Sequence, residues 1–321
     1  MKDDKEIKNI SIFARKLIEN ISRVMVGQEE TIRLVVTAML SGGHLLIEDR
    51  PGTGKTTMAK TMANSMEMTF KRVQFTPDLM PSDITGLNIY NRKTSEFQLV
   101  KGPVFTNILL ADEINRGTPR TQSSLLECME EHQVTIDGVS YILEEPFFVI
   151  ATENRMETTG TFPLPEAQLD RFAMKISMTE SNKAVLLGII DRFIEDNPAD
   201  NIKSCISKQE FLKMRKLIRQ VFVHTCVREY MADIALATNS ASRLAVGASN
   251  RSILSLLRIS QAYAAVSGRD YVSPDDVKYL APFVLSHRVT GAGGYRDTDR
   301  MKTALEEIIA KVEVPVENWE K

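Results

Sequence analysis

The sequence predicts an α/β fold, a parallel sheet flanked by helices, followed by an all-α domain. Short apolar runs recur between amphipathic helical stretches, each bounded by turn residues, and that alternation is how strands joined by crossover helices read in sequence. After about Ser177 the strand signals fade and helical periodicity continues to the end. The division is placed near residue 180, giving an α/β core over 1–180 and a helical domain over 181–321. It rests on this change of period, since no internal repeat or low-complexity linker marks it.

The chain opens with an amphipathic helical pattern to about Arg23, and Glu29 to Leu40 reads as a second helix stopped by Ser41-Gly42-Gly43. The apolar run Leu45 to Ile47 then enters a glycine loop, and Thr57 to Met66 supplies the helix that follows. "NILLAD", Asn107 to Asp112, and "PFFVIAT", Pro146 to Thr152, are further strands. Ligands of such sheets collect beyond the carboxyl ends of the strands, so those ends hold the interest. Two pieces break the alternation and read as inserted hairpins. Ile84 to Val100 has two strand-like halves around a polar turn, and Val134 to Ile142 has Asp137-Gly138 between alternating residues. In the C-terminal part, "SNRSILSLLRISQAYAAVSG" is a helix ending at Gly268, with Asn250 as its cap. "SPDDVKYLAP" is another, with Ser273 as cap, Pro274 in the first turn and acids behind it.

Composition narrows the class. With 321 residues, 43% hydrophobic and 26% charged, the chain can bury a large core. A formal net charge of −2 speaks against a surface that is everywhere a polyanion-binding field, so nucleic acid is not the default partner. Cys128, Cys205 and Cys226 are odd in number and lack metal-ligand spacing, which suits reduced thiols. His44, His132, His224 and His287 share no ligand spacing either. The charged start lacks a signal-peptide core and no run reaches membrane-spanning length, so a cytoplasmic location without membrane insertion is expected. Met58, Met62 and Met66 recur every fourth residue as a core-facing stripe, and the basic amphipathic run 208–222 reads as a solvated helix face.

The chemistry gathers on the strand ends. "PGTGKTT" offers Gly52 and Gly54 for close backbone approach to a triphosphate, Lys55 as a point charge and Thr56 as a hydroxyl for magnesium. The following helix turns its positive end toward the anion. The strict pattern G-x-x-x-x-G-K-[ST] fails at one place, because its first glycine slot is Asp49. A carboxylate aimed at phosphate would repel it, so Asp49 is expected to point away and bond locally to backbone N–H groups or a basic neighbour. The strand "ILLADE" ends in adjacent acids. Asp112 suits magnesium and Glu113 suits polarising an attacking water. Asn154, at the end of the next strand, could orient the same water. Arg171, beside Asp170, reads alone as a surface salt bridge. Arg251 lies in the first turn of a helix, where the dipole disfavours a cation by up to about 1 kcal/mol, so it reads either as a tolerated surface arginine or as one that meets an anion.

These motifs, in this order over roughly Val26 to Val289, resemble the AAA+ ATPases and most closely the MoxR family. The matching segments include "GQEE", "PGTGKT", "FTPDLMPSDITG", "GPVF", "LLADEINR", "TQSSLLECMEE", "GTFPLPEAQLDRF", "GRDYVSPDDVKYLAP" and "LSHRV". The resemblance implies an AAA+ P-loop core with a helical lid, bound to ATP or ADP and Mg2+. Pro51, Gly52, Thr53, Gly54, Lys55, Thr56 and Thr57 would form the Walker A cradle, with Val26 and Gly27 against the adenine. Thr56 and Asp112 would hold magnesium, and Asp112 and Glu113 would be the Walker B pair. Asn154 would be the sensor-1 residue, Arg171 the arginine finger acting on a neighbour's ATP, and Arg251 the sensor-2 arginine. An acid at the Asp49 slot is not unusual in this family. "GASNR" and "ATENRMETTG" depart from the common family forms without removing a reactive group.

The resemblance also implies a ring oligomer, a hexamer, that remodels or matures client proteins beside a partner with a von Willebrand factor A domain. The inserted hairpins would face the central pore or a partner. An AAA+ nucleic-acid motor or a chelatase-type ATPase subunit is the alternative. A motor would need basic hairpins, whereas the first offers only Arg92, Lys93 and Lys101 and the second none. A nucleotide-gated module without turnover is disfavoured by Glu113, Asn154 and Arg171 occurring together.

Overall fold

The structure, a computed structural model, describes residues 4–50, 52–154, 160–194, 198–295 and 297–315. Helices α1 (Asp4–Ser22) and α2 (Glu29–Ser41) lead to β1 (His44–Glu48) and α3 (Lys55–Ser65). Then come β2 (Phe70–Gln74), the short α4 (Pro81–Thr85), and the first hairpin, β3 (Gly86–Asn91) with β4 (Glu96–Lys101). β5 (Ile108–Asp112) and α5 (Pro119–Glu131) precede the second hairpin, β6 (Gln133–Ile136) with β7 (Val139–Ile142). β8 (Phe148–Glu153), the one-turn α6 (Glu166–Leu169) and β9 (Phe172–Ile176) complete the sheet. The remainder is helical: α7 (Lys183–Phe193), α8 (Lys208–Leu217), α9 (Thr225–Ser240), α10 (Asn250–Val266), α11 (Pro274–Leu285) and α12 (Thr298–Ile309). A minimal ribbon of β10 (Leu244–Val246) and β11 (Thr290–Gly291) is its only pairing of named strands among the described residues.

The central sheet has the order β2-β5-β8-β1-β9 and is parallel throughout. Its inner strands are buried up to their carboxyl ends, with apolar middles, because both faces are covered. Leu45, Ile47, Leu110 and Ile150 face a core shared with α1, α2, α10 and α11, whereas Leu46, Leu109, Ala111 and Val149 face one shared with α5 and the second hairpin. Two strands of this sheet escaped the sequence reading, as did the small β10–β11 ribbon. β2 is an edge strand with a single buried residue, Val73, and β9 is wholly buried despite carrying Lys175. Lys175 is neutralised by Glu48 at 3.2 Å and Glu153 at 3.3 Å, which is how a buried cation is tolerated.

Both inserted hairpins are present. At the tip of the second, Asp137 and Gly138 adopt φ values of 49° and 81°, the left-handed pair that a two-residue hairpin turn requires. In the helical part, Ser273 caps α11 through a reciprocal bond with Asp276. The cap of α10 is Ser249 rather than Asn250. The Ser249 hydroxyl accepts from the Ser252 N–H at 3.1 Å, and Asn250 becomes the first helical residue. Among the described residues no helix is long and apolar enough to cross a membrane.

His44 opens β1 and is fully buried. Its Nε2–H donates to the Met129 carbonyl at 3.0 Å, and its Nδ1 accepts from the Val149 N–H at 3.0 Å, so the neutral ring is bonded at both nitrogens. Burial lowers its pKa to about 4, with the nearby His132 and Arg215 adding to the effect. Between pH 6.5 and 4 the unfolded chain therefore binds a proton that the folded chain does not, and stability falls as pH falls through that window. At pH 5 His44 alone accounts for about 2 kcal/mol relative to pH 7. Urea unfolding at pH 7 and pH 5 should show His44→Gln losing less stability than wild type by about that amount; equal losses in the two chains would contradict this.

Candidate active site

The carboxyl ends of β1, β5 and β8 open into a cleft of about 390 Å³. Gly52, Thr53, Gly54, Lys55, Thr56 and Thr57 of the loop and helix after β1 line it, together with Asp112, Glu113 and Asn154 from the ends of β5 and β8. Pro51 lies outside the described residues. Gly54 adopts φ 89° as the N-cap of α3, and Gly52 adopts φ 83° with open space where a side chain would stand. Backbone N–H groups at the start of α3 have no partner within the helix, which suits an anion. Val26 and Gly27 adjoin the cleft rather than line it: the Met25 methyl is 3.1 Å from where a Gly54 Cβ would lie.

The acids at the end of β5 are held by their neighbours. The Thr152 hydroxyl donates to Asp112 Oδ1 at 2.6 Å and accepts the Glu113 N–H at 2.8 Å. Arg72 on β2 donates to Asp112 Oδ2 from Nη2 at 2.7 Å. Glu113 sits at φ 54°, a left-handed conformation that non-glycine residues take at some cost and that fixes the direction of its side chain. Its Oε2 accepts from Gln74 Nε2 at 2.7 Å and Arg116 Nη1 at 3.0 Å. Arg72, Gln74, Arg116 and Thr152 are functional-site residues that the sequence reading missed. Two of them became visible only with β2, whose register sets Gln74 opposite Asp112.

A hydroxyl from Thr56 and a carboxylate from Asp112 are hard oxygen donors lining the same cleft. Among the described residues there is no cluster of three or more His, Cys, Asp and Glu suited to a metal. A pair of protein donors, with the rest from phosphate and water, is the set Mg2+ prefers, so the residues fit a magnesium nucleotide. Lys55 is the cation that the P-loop brings to the cleft, which Arg72 also lines. Burial lowers its pKa, opposed by Asp49, Asp112 and Glu113, and its ammonium donates to the Arg50 carbonyl at 2.8 Å.

Arg171 and Arg251 lie elsewhere. They line a second cleft, of about 250 Å³, with Gly43, Glu130, Asp170 and Arg288. Glu130, at the end of α5, accepts from Arg171 Nη2 at 2.9 Å and Arg251 Nη2 at 2.7 Å, one on each oxygen. Glu130 is thus the anion that offsets an arginine in the first turn of α10. Arg288, from "LSHRV", is buried, and its Nη2 donates to the carbonyls of Asp170 at 3.1 Å and Phe172 at 2.7 Å. Burial lowers its pKa to about 10 against the opposing pull of Asp170, so the helical part grips the turn that carries Arg171 through a charged group. Gly43 precedes β1 and Asp49 follows it, so the two clefts sit at opposite ends of that strand. Five residues of strand span about 16 Å.

Asp49 answers the question raised by its slot. Its Oδ1 accepts the adjacent Arg50 N–H at 2.6 Å, the local bond expected, while the residue still forms part of the cleft wall. Because that bond is local and Lys55 supplies the charge, Asp49→Gly should leave ATP affinity within about threefold, whereas Lys55→Ala should weaken it at least about a hundredfold. Titration of a fluorescent ATP analogue measures both, and equal losses in the two variants would contradict the assignment.

Comparison with known proteins agrees with this geometry. Residues 44–174 match the family described as "ATPase family associated with various cellular activities (AAA)", and residues 236–311 match the AAA lid domain. The chain is 44% identical over 303 residues to the Bacillus subtilis protein YeaC, covering 94% of this chain and 95% of that one. It is 39% identical over 283 residues to Chaperone MoxR1 of Mycobacterium tuberculosis, covering 85% and 74% respectively. A crystal structure from Cytophaga hutchinsonii superposes with a TM-score of 0.86 at 38% identity, covering 96% of this chain and 97% of that one. With a nucleotide cleft built on a P-loop, an acid pair and a helical lid, and with relatives of this closeness, the chain belongs to the MoxR family of AAA+ ATPases.

Proposed function

We propose that this protein hydrolyses ATP with Mg2+ at the junction between two copies in a ring, hexameric as the family resemblance implies. It would use the cycle to remodel or mature client proteins beside a partner with a von Willebrand factor A domain. The observation that carries the first part is the separation of the two clefts. Arg171 and Arg251 stand at the amino end of the sheet, about 16 Å of strand from the cleft at its carboxyl end, too far for an arginine to meet its own chain's triphosphate. Each copy therefore holds one half of the reaction. Lys55 and the start of α3 bind the phosphates, Thr56 and Asp112 hold the metal, and Glu113 and Asn154 orient water. The next copy supplies Arg171 and Arg251 to the charge that develops. Bound magnesium would neutralise negative charge on the phosphates.

In the lone chain both arginines rest on Glu130, and Glu113 rests on Gln74 and Arg116. Both sets must exchange partners when a nucleotide and a neighbour arrive. The client role is supported by the chaperone among the relatives and by the first hairpin, where Phe97 is 72% exposed and packs edge-on to Tyr90 at 5.4 Å. Exposed aromatics suit a protein client, and the second hairpin lacks the basic residues a nucleic-acid motor would use.

Specific ATPase activity should rise with protein concentration. Arg171→Ala should cut turnover by about 10³-fold or more while ATP affinity stays within a few-fold, since an arginine supplied in trans is worth about 10³ to 10⁵ in related phosphoryl transfers. Turnover that is undiminished at nanomolar concentration, or retained in Arg171→Ala, would sink this reading. Co-purification with the Glu113→Gln chain, which should trap ATP, tests the client role; recovery of nucleic acid in place of protein would favour the motor.

A further inference from the structure

Helix α7 is apolar on two faces and covered on one. Its inner stripe rests on the loop beside the nucleotide cleft. A Gly27 Cβ would lie 2.5 Å from Val185, a Gly188 Cβ would lie 3.1 Å from Val26, and Arg192 donates to the Ser22 and Arg23 carbonyls. The outer stripe consists of Leu186, Leu187, Ile190, Phe193 and Ile194, spaced as one helical face, and each is between 45% and 70% exposed. No residue of α7 is fully buried. A helix face that stays in water carries charged and polar side chains, whereas a contiguous apolar stripe marks a contact surface.

We infer that this stripe is the docking surface for the arginine-bearing face of a second copy of the chain. The inference rests on the reading that Arg171 and Arg251 act in trans, and it names the surface that brings them there. Continuity identifies the occupant. α7 packs on Val26 and Gly27, and Met25 of the same loop comes against Gly54, so α7 flanks the P-loop side of the cleft, one loop away from its lining. A copy that delivers Arg171 to a triphosphate held by Lys55 comes up against that flank. The delivering face, charged at its centre, carries an exposed apolar side chain beside the arginines: Leu254, one turn along α10 from Arg251, is 61% exposed. Leu254 against the α7 stripe would dry the edge of the junction and hold the neighbouring arginines in register, with charged groups inside and an apolar seal outside.

Ile190→Asp, Leu186→Ser and Leu254→Asp test this, because all three sites are exposed and the fold can be checked by nucleotide binding. Sedimentation velocity with a non-hydrolysable ATP analogue and Mg2+ gives the concentration for half-assembly. Each variant should raise it at least about tenfold, with the analogue's affinity for the dilute chain within about threefold of wild type. Variants that assemble as wild type does would overturn the docking surface, and a wild-type chain that stays monomeric with nucleotide would overturn the choice of a second copy. Arg171→Ala separates this from the reading beneath it. If Arg171→Ala loses turnover while Ile190→Asp assembles normally, the arginine acts in trans but α7 is not the contact. If Arg171→Ala hydrolyses ATP undiminished, the reading in trans itself fails.

Discussion

The parallel pairing of β1 with β8 on one side and β9 on the other sets where each charged group of this chain can act. In a parallel sheet every carboxyl end lies on one side and every amino end on the other. The loop after β1 and the residues ending β5 and β8 therefore converge on one cleft, while Arg171, which precedes β9, is carried to the opposite edge. Arg251 joins it because α10 packs across β9 and because Arg288 binds the carbonyls at the start of that strand. The P-loop cleft of a single copy thus lacks Arg171 and Arg251, and the cleft those two line lies at the other end of β1.

In the meantime each reactive charge has a partner inside the chain. Asp112 has Arg72, Glu113 has Gln74 and Arg116, and Arg171 and Arg251 share Glu130. Half-buried charges left unpaired would destabilise the folded state, so internal counter-ions let the fold exist without nucleotide. On the proposed reading, each of these pairs would be exchanged for a contact with phosphate, metal or water. Glu113, held in a left-handed conformation between two donors, is the clearest case of a side chain whose direction is set by its backbone and its neighbours together.

Much of this was legible in the sequence, where local chemistry dictates structure. Apolar strands ending in acids, a glycine loop before a helix, Asp137-Gly138 between alternating residues and the Ser273 cap each carry their own physical reason, and each formed. What escaped depends on partners distant in sequence. β2 reads as ordinary polar chain because an edge strand alternates weakly, and with it went Arg72 and Gln74, which matter only through their register with β5. β9 hid behind Lys175, whose counter-ions Glu48 and Glu153 lie on other strands. The placement of Arg251 within a first helical turn signalled an anion, but Glu130 lies 121 residues away and nothing local names it. Motif order pointed to a family of ATPases and, through it, to an arginine finger acting on a neighbour; the sheet adds that Arg171 and Arg251 lie at the opposite end of β1 from the P-loop.

The central claim is that one copy completes the site of the next, and mixing two inactive chains tests it directly. Arg171→Ala keeps an intact nucleotide cleft, and Lys55→Ala keeps an intact arginine cleft. If the arginine works in trans, mixing them creates junctions in which the Lys55→Ala copy supplies Arg171 to the nucleotide of the Arg171→Ala copy. ATP hydrolysis by the mixture should then rise well above the sum of the separate chains and peak near equal proportions. A mixture that never exceeds that sum, although the two chains are seen to co-assemble, would contradict the account.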